Sequence, residues 1–205
     1  MRIYLVTDER LLLGKDLYRT VEAAVKGGVS MVQLREKESS TREFVERAIR
    51  LKEVLTPYGV PLIINDRVDV ALAADADGVH VGQSDMLYEM VKRLLPEGKI
   101  IGLSVESPEQ VLEANNYDLD YVAASPVFST TTKTNTIVEW GLDGLRWIRS
   151  VSRHPLVAIG GIHSNNVASI FKAGADSVAV ISAIVSADDP ERAARELLEK
   201  SGELH

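Results

Sequence analysis

Short apolar runs alternate with longer amphipathic segments along the whole chain. Eight of the short runs are rich in Val and Ile and carry few charges, which is typical of parallel strands buried on both faces. Because such strands are separated by helices, each connection must cross back over the sheet and neighbouring strands pair in parallel. The predicted strands are Ile3–Thr7, Met31–Arg35, Pro61–Asn65, Gly78–Val81, Ile100–Ser104, Tyr121–Ala124, Leu156–Ile159 and Ser177–Ser182.

The segments between these strands have helical periodicity. Phe44, Ala48, Leu51 and Leu55 recur at i, i+4, i+7 and i+11, which places them on one face of a helix. A Ser-x-x-Glu capping box opens at Ser40, just before this stripe, and supplies side-chain partners for free backbone N–H groups. The pattern therefore predicts a helix that begins after Ser40 and packs this face against the sheet.

Two architectures fit this order of elements: an open doubly wound sheet and a closed barrel. Eight strand–helix units within 205 residues favour the barrel, as one domain over residues 1–205. No G-x-G-x-x-G motif follows the first strand, which argues against a dinucleotide-binding sheet. We therefore predict a single-domain α/β protein with the (β/α)8 TIM-barrel fold.

Composition narrows the classes of partner. The net charge of −7 argues against nucleic acid as the main partner, and the absence of cysteine excludes disulfides and thiolate chemistry. No stretch approaches the ~20 apolar residues of a membrane span, and the first apolar run is too short for a signal peptide. We expect a cytoplasmic protein with small-molecule partners. The oligomeric state stays open, a homo-oligomer included.

In this fold the active site lies at the carboxyl ends of the strands. The second predicted strand ends with Gln33, Arg35 and Lys37, which alternate and so share one face of an extended chain. An amide, a guanidinium and an ammonium group at one strand end suit an anion with several oxygens, such as a phosphate or diphosphate. The alternative is a solvated loop in which Arg35 pairs with Glu36 or Glu38.

Carboxylates follow the next two strands. Asn65 and Asp66 end the third strand, and Asp85 follows the fourth. Because these strand ends are adjacent, the two aspartates can approach each other and offer hard oxygen ligands to Mg²⁺, an ion that keeps several waters and bridges phosphate oxygens. Each aspartate alone could instead cap a following helix. The pair beside the predicted anion site favours the metal.

The fifth strand and the sixth loop add hydroxyl groups and one cation. Ser104 ends the fifth strand and can donate to a phosphate oxygen, and no triad pattern makes it a nucleophile. Thr130, Thr132 and Lys133 lie in the long sixth loop, where they can wrap an anion and bring a positive charge to it. His80, within the fourth strand, is interpreted as a hydrogen-bonded core residue.

The last two strand ends predict a second anion site. Gly160 and Gly161 follow the seventh strand and allow a ligand to approach the backbone closely. Backbone N–H groups there and near Ile181 and Ser182, after the eighth strand, match the common phosphate site of this fold.

These motifs, in this order and over nearly the whole chain, resemble the thiamine phosphate synthase family. The sixth loop departs from that family at Ser125, where glycine is usual, and at Ser129, where proline is frequent. The segments that carry the resemblance are Tyr4-Leu5-Val6-Thr7-Asp8, Gln33-Leu34-Arg35-Glu36-Lys37, Ile64-Asn65-Asp66, His80-Val81-Gly82-Gln83-Ser84-Asp85, Thr130-x-Thr132-Lys133, Ile159-Gly160-Gly161-Ile162 and Ile181-Ser182-Ala183-Ile184.

The resemblance implies a transferase that couples an aminomethylpyrimidine diphosphate with a thiazole phosphate and releases pyrophosphate. It implies Mg²⁺ as the cofactor, held by Asp66 and Asp85. Arg35, Lys37, Ser104 and Lys133 would be the catalytic residues. The pyrimidine diphosphate would be bound by Gln33, Arg35, Lys37, Asn65, Ser104 and Lys133, and the thiazole phosphate by Thr130, Thr132, Gly161, Ile181 and Ser182.

Two other functions remain open at this point. A thiazole tautomerase on the same barrel would need the thiazole phosphate site but neither the diphosphate set nor the metal pair. A non-catalytic phosphate-binding barrel would need only one anion site. The presence of two anion sites and an acidic pair favours the synthase over both.

Overall fold

Eight parallel strands form a closed barrel in the computed structural model, which describes residues 2–129 and 139–202. Each strand pairs with its neighbours in sequence order, and β8 pairs with β1 through Ile3 opposite Val178 and Leu5 opposite Val180, so this sheet has no free edge. The predicted fold is therefore confirmed. The strands are β1 Ile3–Val6, β2 Met31–Leu34, β3 Leu62–Asn65, β4 Gly78–Val81, β5 Ile100–Val105, β6 Tyr121–Ala124, β7 Leu156–Ile159 and β8 Ser177–Val180.

Helices surround the barrel. The predicted capping box is present at the start of α2, where the Ser40 hydroxyl accepts from the Glu43 N–H and the Glu43 carboxylate accepts from the Ser40 N–H. Within the described residues, no helix is both long and apolar enough to cross a membrane. The helices are α1 Leu17–Lys26, α2 Thr41–Leu55, α3 Val68–Ala73, α4 Tyr88–Leu94, α5 Pro108–Ala114, α6 Gly141–Val151, α7 Val167–Lys172, α8 Ser182–Val185 and α9 Pro190–Lys200.

Strand ends differ from the prediction by one or two residues. The largest difference is at β8, which ends at Val180 and not at Ser182. The carbonyl of Ile181 accepts from the N–H groups of Ile184 and Val185, so the chain has already turned into α8 there. β1, β2 and β3 are each one residue shorter than predicted, and β5 is one residue longer, ending at Val105.

Side chains alternate between two separate cores, as the two-residue period of a strand requires. In β1, Ile3 and Leu5 face the surrounding helices, whereas Tyr4 and Val6 face the inside of the barrel. The interior is therefore packed rather than open. Its apolar members are Tyr4, Val6, Met31, Ile63, Tyr121, Ala123, Val157 and Ala179.

One interior side chain crosses between strands. Tyr121 of β6 pairs in register with Gly102 of β5, and a Cβ atom on Gly102 would overlap the Tyr121 ring. The ring thus fills the volume that a side chain at position 102 would otherwise occupy. This leaves the Tyr121 hydroxyl inside the barrel, where it can reach residues of β1 and β4.

The packing of α2 generates a stability prediction. Leu51→Ala removes a fully buried side chain and should lower the free energy of unfolding by about 2–5 kcal/mol, because it leaves a cavity between α2 and the barrel. Leu112→Ala is the matched control, since Leu112 lies on α5 with half of its surface exposed and should change stability by only about 0.5 kcal/mol or less. Denaturant unfolding of both variants checks this. Equal losses would contradict the assignment of these two helix faces.

Candidate active site

A cavity of about 1400 Å³ opens at the carboxyl ends of the strands. Pockets for a single small ligand usually measure roughly 300–1,000 Å³, so this cavity is larger than one such ligand requires. The predicted positions Thr130, Thr132 and Lys133 lie outside the described residues. All the other predicted site residues line the cavity, namely Gln33, Arg35, Lys37, Asn65, Asp66, Asp85, Ser104, Gly161, Ile181 and Ser182.

Arg35 is held at the cavity wall by the end of β1. Its guanidinium donates to the Asp8 carboxylate, with 2.8 Å between Nη1 and Oδ2, and both side chains are largely buried. Its backbone N–H donates to the Thr7 hydroxyl at 3.1 Å. Side chain and backbone are thus both oriented by two consecutive residues of the neighbouring strand end.

The alternative in which Arg35 pairs with Glu36 or Glu38 is wrong. The Glu36 carboxylate is almost fully buried and pairs with Arg47 of α2 at 2.8 Å, whereas Glu38 pairs with Arg10. Breaking a buried ion pair by removing one partner is costly, because the other charge is left without compensation. The Glu36–Arg47 pair therefore anchors the segment that carries Arg35 to α2.

Lys37 reaches the third strand end. Its ammonium group donates to Asp66, with 2.7 Å between Nζ and Oδ2. Asp66 has a left-handed backbone with φ of 62°, a conformation that is costly for a residue other than glycine and that clusters at functional sites. The Asp66 N–H donates to the His80 carbonyl at 2.8 Å, which fixes this turn against β4.

Asp85 lies beside Asp66. Its carboxylate accepts from the Gly82 N–H at 2.7 Å, which closes the turn after β4. Burial, and next a hydrogen bond with Asp66, raise the pKa of Asp85 above its usual range. The two carboxylates are therefore close enough to disfavour ionisation of both, and a cation between them would relieve this.

Neither aspartate caps a helix. The residue before α3 is Arg67 and the residue before α4 is Leu87, and neither helix start receives a side-chain cap. The capping alternative is therefore wrong for both aspartates. In residues 2–129 and 139–202 no group of three or more His, Asp or Glu side chains could hold a metal ion, so protein ligands from this part of the chain would be this pair alone.

A hydrogen-bonded chain of side chains lies beneath the cavity. Gln33 Nε2 donates to the Tyr4 hydroxyl at 2.7 Å, and the Tyr4 and Tyr121 hydroxyls are 2.9 Å apart. The Tyr121 hydroxyl is 3.1 Å from His80 Nδ1, and His80 Nε2 is 2.9 Å from the Ser104 hydroxyl. The interpretation of His80 as a buried, hydrogen-bonded residue is confirmed, and its ring also lines the cavity.

The glycines after β7 also meet a steric constraint within the protein itself. Gly160 and Gly161 have φ of 105° and 64°, and Cβ atoms on them would lie 2.7 Å from Pro126 Cβ and 2.8 Å from Phe128 Cβ. The loop after β6 therefore packs directly on this turn. The Asn166 carboxamide donates to the Gly161 carbonyl at 2.8 Å and holds the turn from the other side.

Comparisons with known proteins agree with this arrangement. A sequence profile described as thiamine monophosphate synthase matches residues 3–184. The chain belongs to the thiamine monophosphate synthase family. It is 52% identical over 190 residues to the thiamine-phosphate synthase of Albidiferax ferrireducens, covering 93% of this chain and 87% of that protein. It is 50% identical over 197 residues to that of Vibrio campbellii, with 96% of each chain covered.

A solved structure supports the same family. The thiamine phosphate pyrophosphorylase of Pyrococcus furiosus superposes with a TM-score of 0.90 at 41% identity, and the match covers 98% of this chain and 96% of that one. The family resemblance drawn from the motifs is confirmed. As a member of the thiamine monophosphate synthase family, the chain is an enzyme of the transferase class that acts on small molecules.

Thr7 and Asp8 were not among the predicted site residues, although both stand in a motif that carries the family resemblance. They lie at the end of β1, where the same strand-end rule that found Arg35 also applies. The sequence alone does not show which polar groups Thr7 and Asp8 contact, so apart from that motif only their position after a strand indicates a site residue. The structure shows that they contact Arg35.

The contact with Arg35 predicts a role for Asp8. Asp8→Ala should lower kcat/KM of the synthase reaction by about 100-fold, because a displaced Arg35 misplaces a positive charge at the cavity wall. Asp8→Asn, which keeps an oxygen for the N–H groups of Arg10 and Leu11, should lose less.

Asp16→Ala is the matched control. Asp16 also caps a helix, accepting from the Arg19 N–H at 2.8 Å, and within residues 2–129 and 139–202 no hydrogen bond or ion pair joins its side chain to a residue that lines the cavity. Each alanine variant should lose about 1 kcal/mol of stability with its cap, and Asp8→Ala should lose more, because it also leaves the Arg35 charge without its partner. If Asp8→Ala were as active as Asp16→Ala, Asp8 would be a cap and nothing more.

Proposed function

We propose that this enzyme joins an aminomethylpyrimidine diphosphate to a thiazole phosphate, or to the carboxylated thiazole phosphate, and releases pyrophosphate. The observation that carries this proposal is the rim of the cavity where Arg35 and Lys37 stand beside the Asp66–Asp85 pair. Adjacent cations and carboxylates suit a diphosphate with its divalent cation. A monophosphate alone would need only the cations.

The diphosphate would bind along β2, β3 and β5. Arg35 offers a planar fork of donors, and Lys37 adds a mobile point charge that the substrate can draw away from Asp66. Asn65 and Ser104 add neutral donors from the next strands. Lys133, by the family resemblance, would complete the set from the sixth loop. Positive charge placed where negative charge develops is the largest catalytic contribution of such a site.

Asp66 and Asp85 fit a magnesium ion. Two neighbouring hard carboxylates, one of them with a raised pKa, would gain stability from a cation. Two protein ligands would leave the remaining positions for water and phosphate oxygens, as Mg²⁺ prefers. When bound, Mg²⁺ would supply charge neutralisation for the leaving diphosphate. The Arg35 and Lys37 side chains would add positive charge to the same diphosphate.

The bond changes need no general base. The bond between the methylene carbon and the diphosphate oxygen breaks, and its electron pair leaves with the diphosphate. The electron-rich aminopyrimidine stabilises the methylene cation. The lone pair of the thiazole nitrogen then forms the new carbon–nitrogen bond. The protein contributes position and electrostatic stabilisation, and Gln33 beneath the cavity would orient the pyrimidine ring.

The thiazole phosphate would bind at the opposite side of the cavity. Gly161, Ile181 and Ser182 line that side, after β7 and β8, and by the family resemblance Thr130 and Thr132 would join them. The cavity volume supports simultaneous binding of both substrates. We further propose that residues 1–205 act as a single catalytic domain in the cytoplasm.

Pyrophosphate release tests the proposal. Purified protein is mixed with the pyrimidine diphosphate, the thiazole phosphate and Mg²⁺, and each component is omitted in turn. We expect release that requires all three, with thiamine phosphate formed in equal amount. Absence of release together with isomerisation of the thiazole substrate alone would establish the tautomerase instead.

The acidic pair predicts a metal-dependent stability change. Asp85→Asn should raise the unfolding temperature of the metal-free protein, because a carboxylate with a raised pKa destabilises the fold above its pKa. It should also remove the stabilisation that MgCl2 with pyrophosphate gives to the unmodified protein. Asp118→Asn is the control, since Asp118 is an exposed partner of Lys92 and should leave that stabilisation intact. A full magnesium response in Asp85→Asn would exclude Asp85 as a ligand.

A further inference from the structure

The hydrogen bonds that link Gln33, Tyr4, Tyr121, His80 and Ser104 beneath the cavity all run from donor to acceptor in the same direction. Burial raises the pKa of both Tyr4 and Tyr121, so their hydroxyls stay protonated and each must give its proton to an acceptor. Tyr4 already accepts from Gln33 Nε2, and the Tyr121 oxygen is 2.9 Å away, so the Tyr4 proton goes to Tyr121. An unsatisfied buried hydroxyl would be costly, and the described residues contain no buried side-chain N or O atom without a partner.

The direction continues through His80. The Tyr121 hydroxyl, having accepted from Tyr4, donates to His80 Nδ1 at 3.1 Å. Nδ1 is then the acceptor nitrogen, and the ring proton is on Nε2, which lies 2.9 Å from the Ser104 oxygen. Because Ser104 accepts there, its own proton is directed toward the cavity that it lines. The Gln33 end of the hydrogen-bonded series has the opposite polarity. Gln33 Nε2 donates to Tyr4, so Gln33 Oε1 is the atom that can accept a hydrogen bond from a ligand.

We propose that His80 is a positioning residue that acts through Ser104. With its proton on Nε2, His80 makes the Ser104 hydroxyl a hydrogen-bond donor to the pyrimidine substrate, while the same chain makes Gln33 an acceptor. The inference rests on the proposed function for the identity of the substrate. The geometry of the chain is independent of that function.

If every hydrogen bond in this series had its donor and acceptor exchanged, the protein would be in a different state that can be measured. It would place Gln33 Oε1 against Tyr4, move the His80 proton to Nδ1 and make Ser104 an acceptor in the cavity. An alkyl diphosphate and an aminopyrimidine ring nitrogen are both acceptors, so only the first direction lets Ser104 bind them. The tautomer of His80 therefore decides which ligand groups this part of the cavity accepts.

The first test is the tautomer itself. Nitrogen-15 NMR of the full chain, with the His80 signals assigned by comparison with His80→Gln, should show a neutral ring protonated on Nε2. A proton on Nδ1, or on both nitrogens, at the pH of the activity assay would overturn the proposal. This measurement uses no substrate, so its result does not depend on the proposed function.

The second test is a double-mutant cycle on binding. The dissociation constant of the pyrimidine diphosphate with Mg²⁺, without the thiazole substrate, is measured for the unmodified protein, His80→Asn, Ser104→Ala and the double variant. His80→Asn should weaken binding about tenfold, the effect of one ordinary hydrogen bond, and should have almost no effect once Ser104 is alanine. Equal effects of His80→Asn in both backgrounds would show that His80 does not act through Ser104.

Two further variants separate positioning from packing. In His80→Gln the amide nitrogen can take the place of Nε2, so binding should recover most of what His80→Asn loses. His154→Asn is the matched control: His154 is equally buried but bonds to the carbonyls of Leu119 and Ala114, so it should change stability without changing the dissociation constant.

Folding and function failures give different results. If His80→Asn does not fold, Tyr121→Phe goes through the same cycle, because it removes one hydroxyl and keeps the ring that covers Gly102. If the unmodified protein neither binds the pyrimidine diphosphate nor releases pyrophosphate, the proposed function fails and the substrate assignment fails with it. If the protein is an active synthase and the effects of His80 and Ser104 are additive, only the positioning role is overturned.

Discussion

The hydrogen bonds between β8 and β1 impose the constraint on which the rest of the structure depends. Once the parallel ladder closes, every second side chain must point into the barrel, and all eight strand ends must meet at one rim. Residues that are distant in sequence, such as Arg35 and Ser104, then share one cavity without any loop having to fold over them. The same closure forces the polar interior side chains to find partners among themselves, because water has little access there.

The fold could be predicted because strands and helices each leave a local pattern in this sequence. Val- and Ile-rich runs of four to six residues and helical stripes such as Phe44, Ala48 and Leu51 each need only local information. The predicted ends of the strands were less accurate. The chain turns from β8 into α8 at Ile181 because of backbone hydrogen bonds, which residues of many types could make. The site was found for a related reason: in this fold, position at a strand end is itself a functional signal.

The partners of these site residues could not be predicted from the sequence. Four acidic residues follow β1 and β2, namely Asp8, Glu9, Glu36 and Glu38. Only the packing of the two loops selects Asp8 as the partner of Arg35 and leaves Glu36 to Arg47. The left-handed backbone of Asp66 could not be predicted either, because an aspartate shortly before a helix ordinarily suggests a helix cap. The hydrogen-bonded chain from Gln33 to Ser104 joins five strands, and its direction follows from assigning one proton to each hydrogen bond.

The contact between Tyr121 and Gly102 has an evolutionary consequence. The two positions share one volume, so neither can change independently: a side chain at 102 requires a smaller residue at 121, and a smaller residue at 121 leaves a void that only position 102 can fill. The Tyr121 hydroxyl is also the middle member of the hydrogen-bonded chain from Gln33 to Ser104. Replacing Tyr121 by a smaller residue would therefore break the connection between Gln33 and Ser104. Relatives in which both positions have been exchanged should therefore have acquired another way to orient the substrate, and sequence covariation at this pair would identify them.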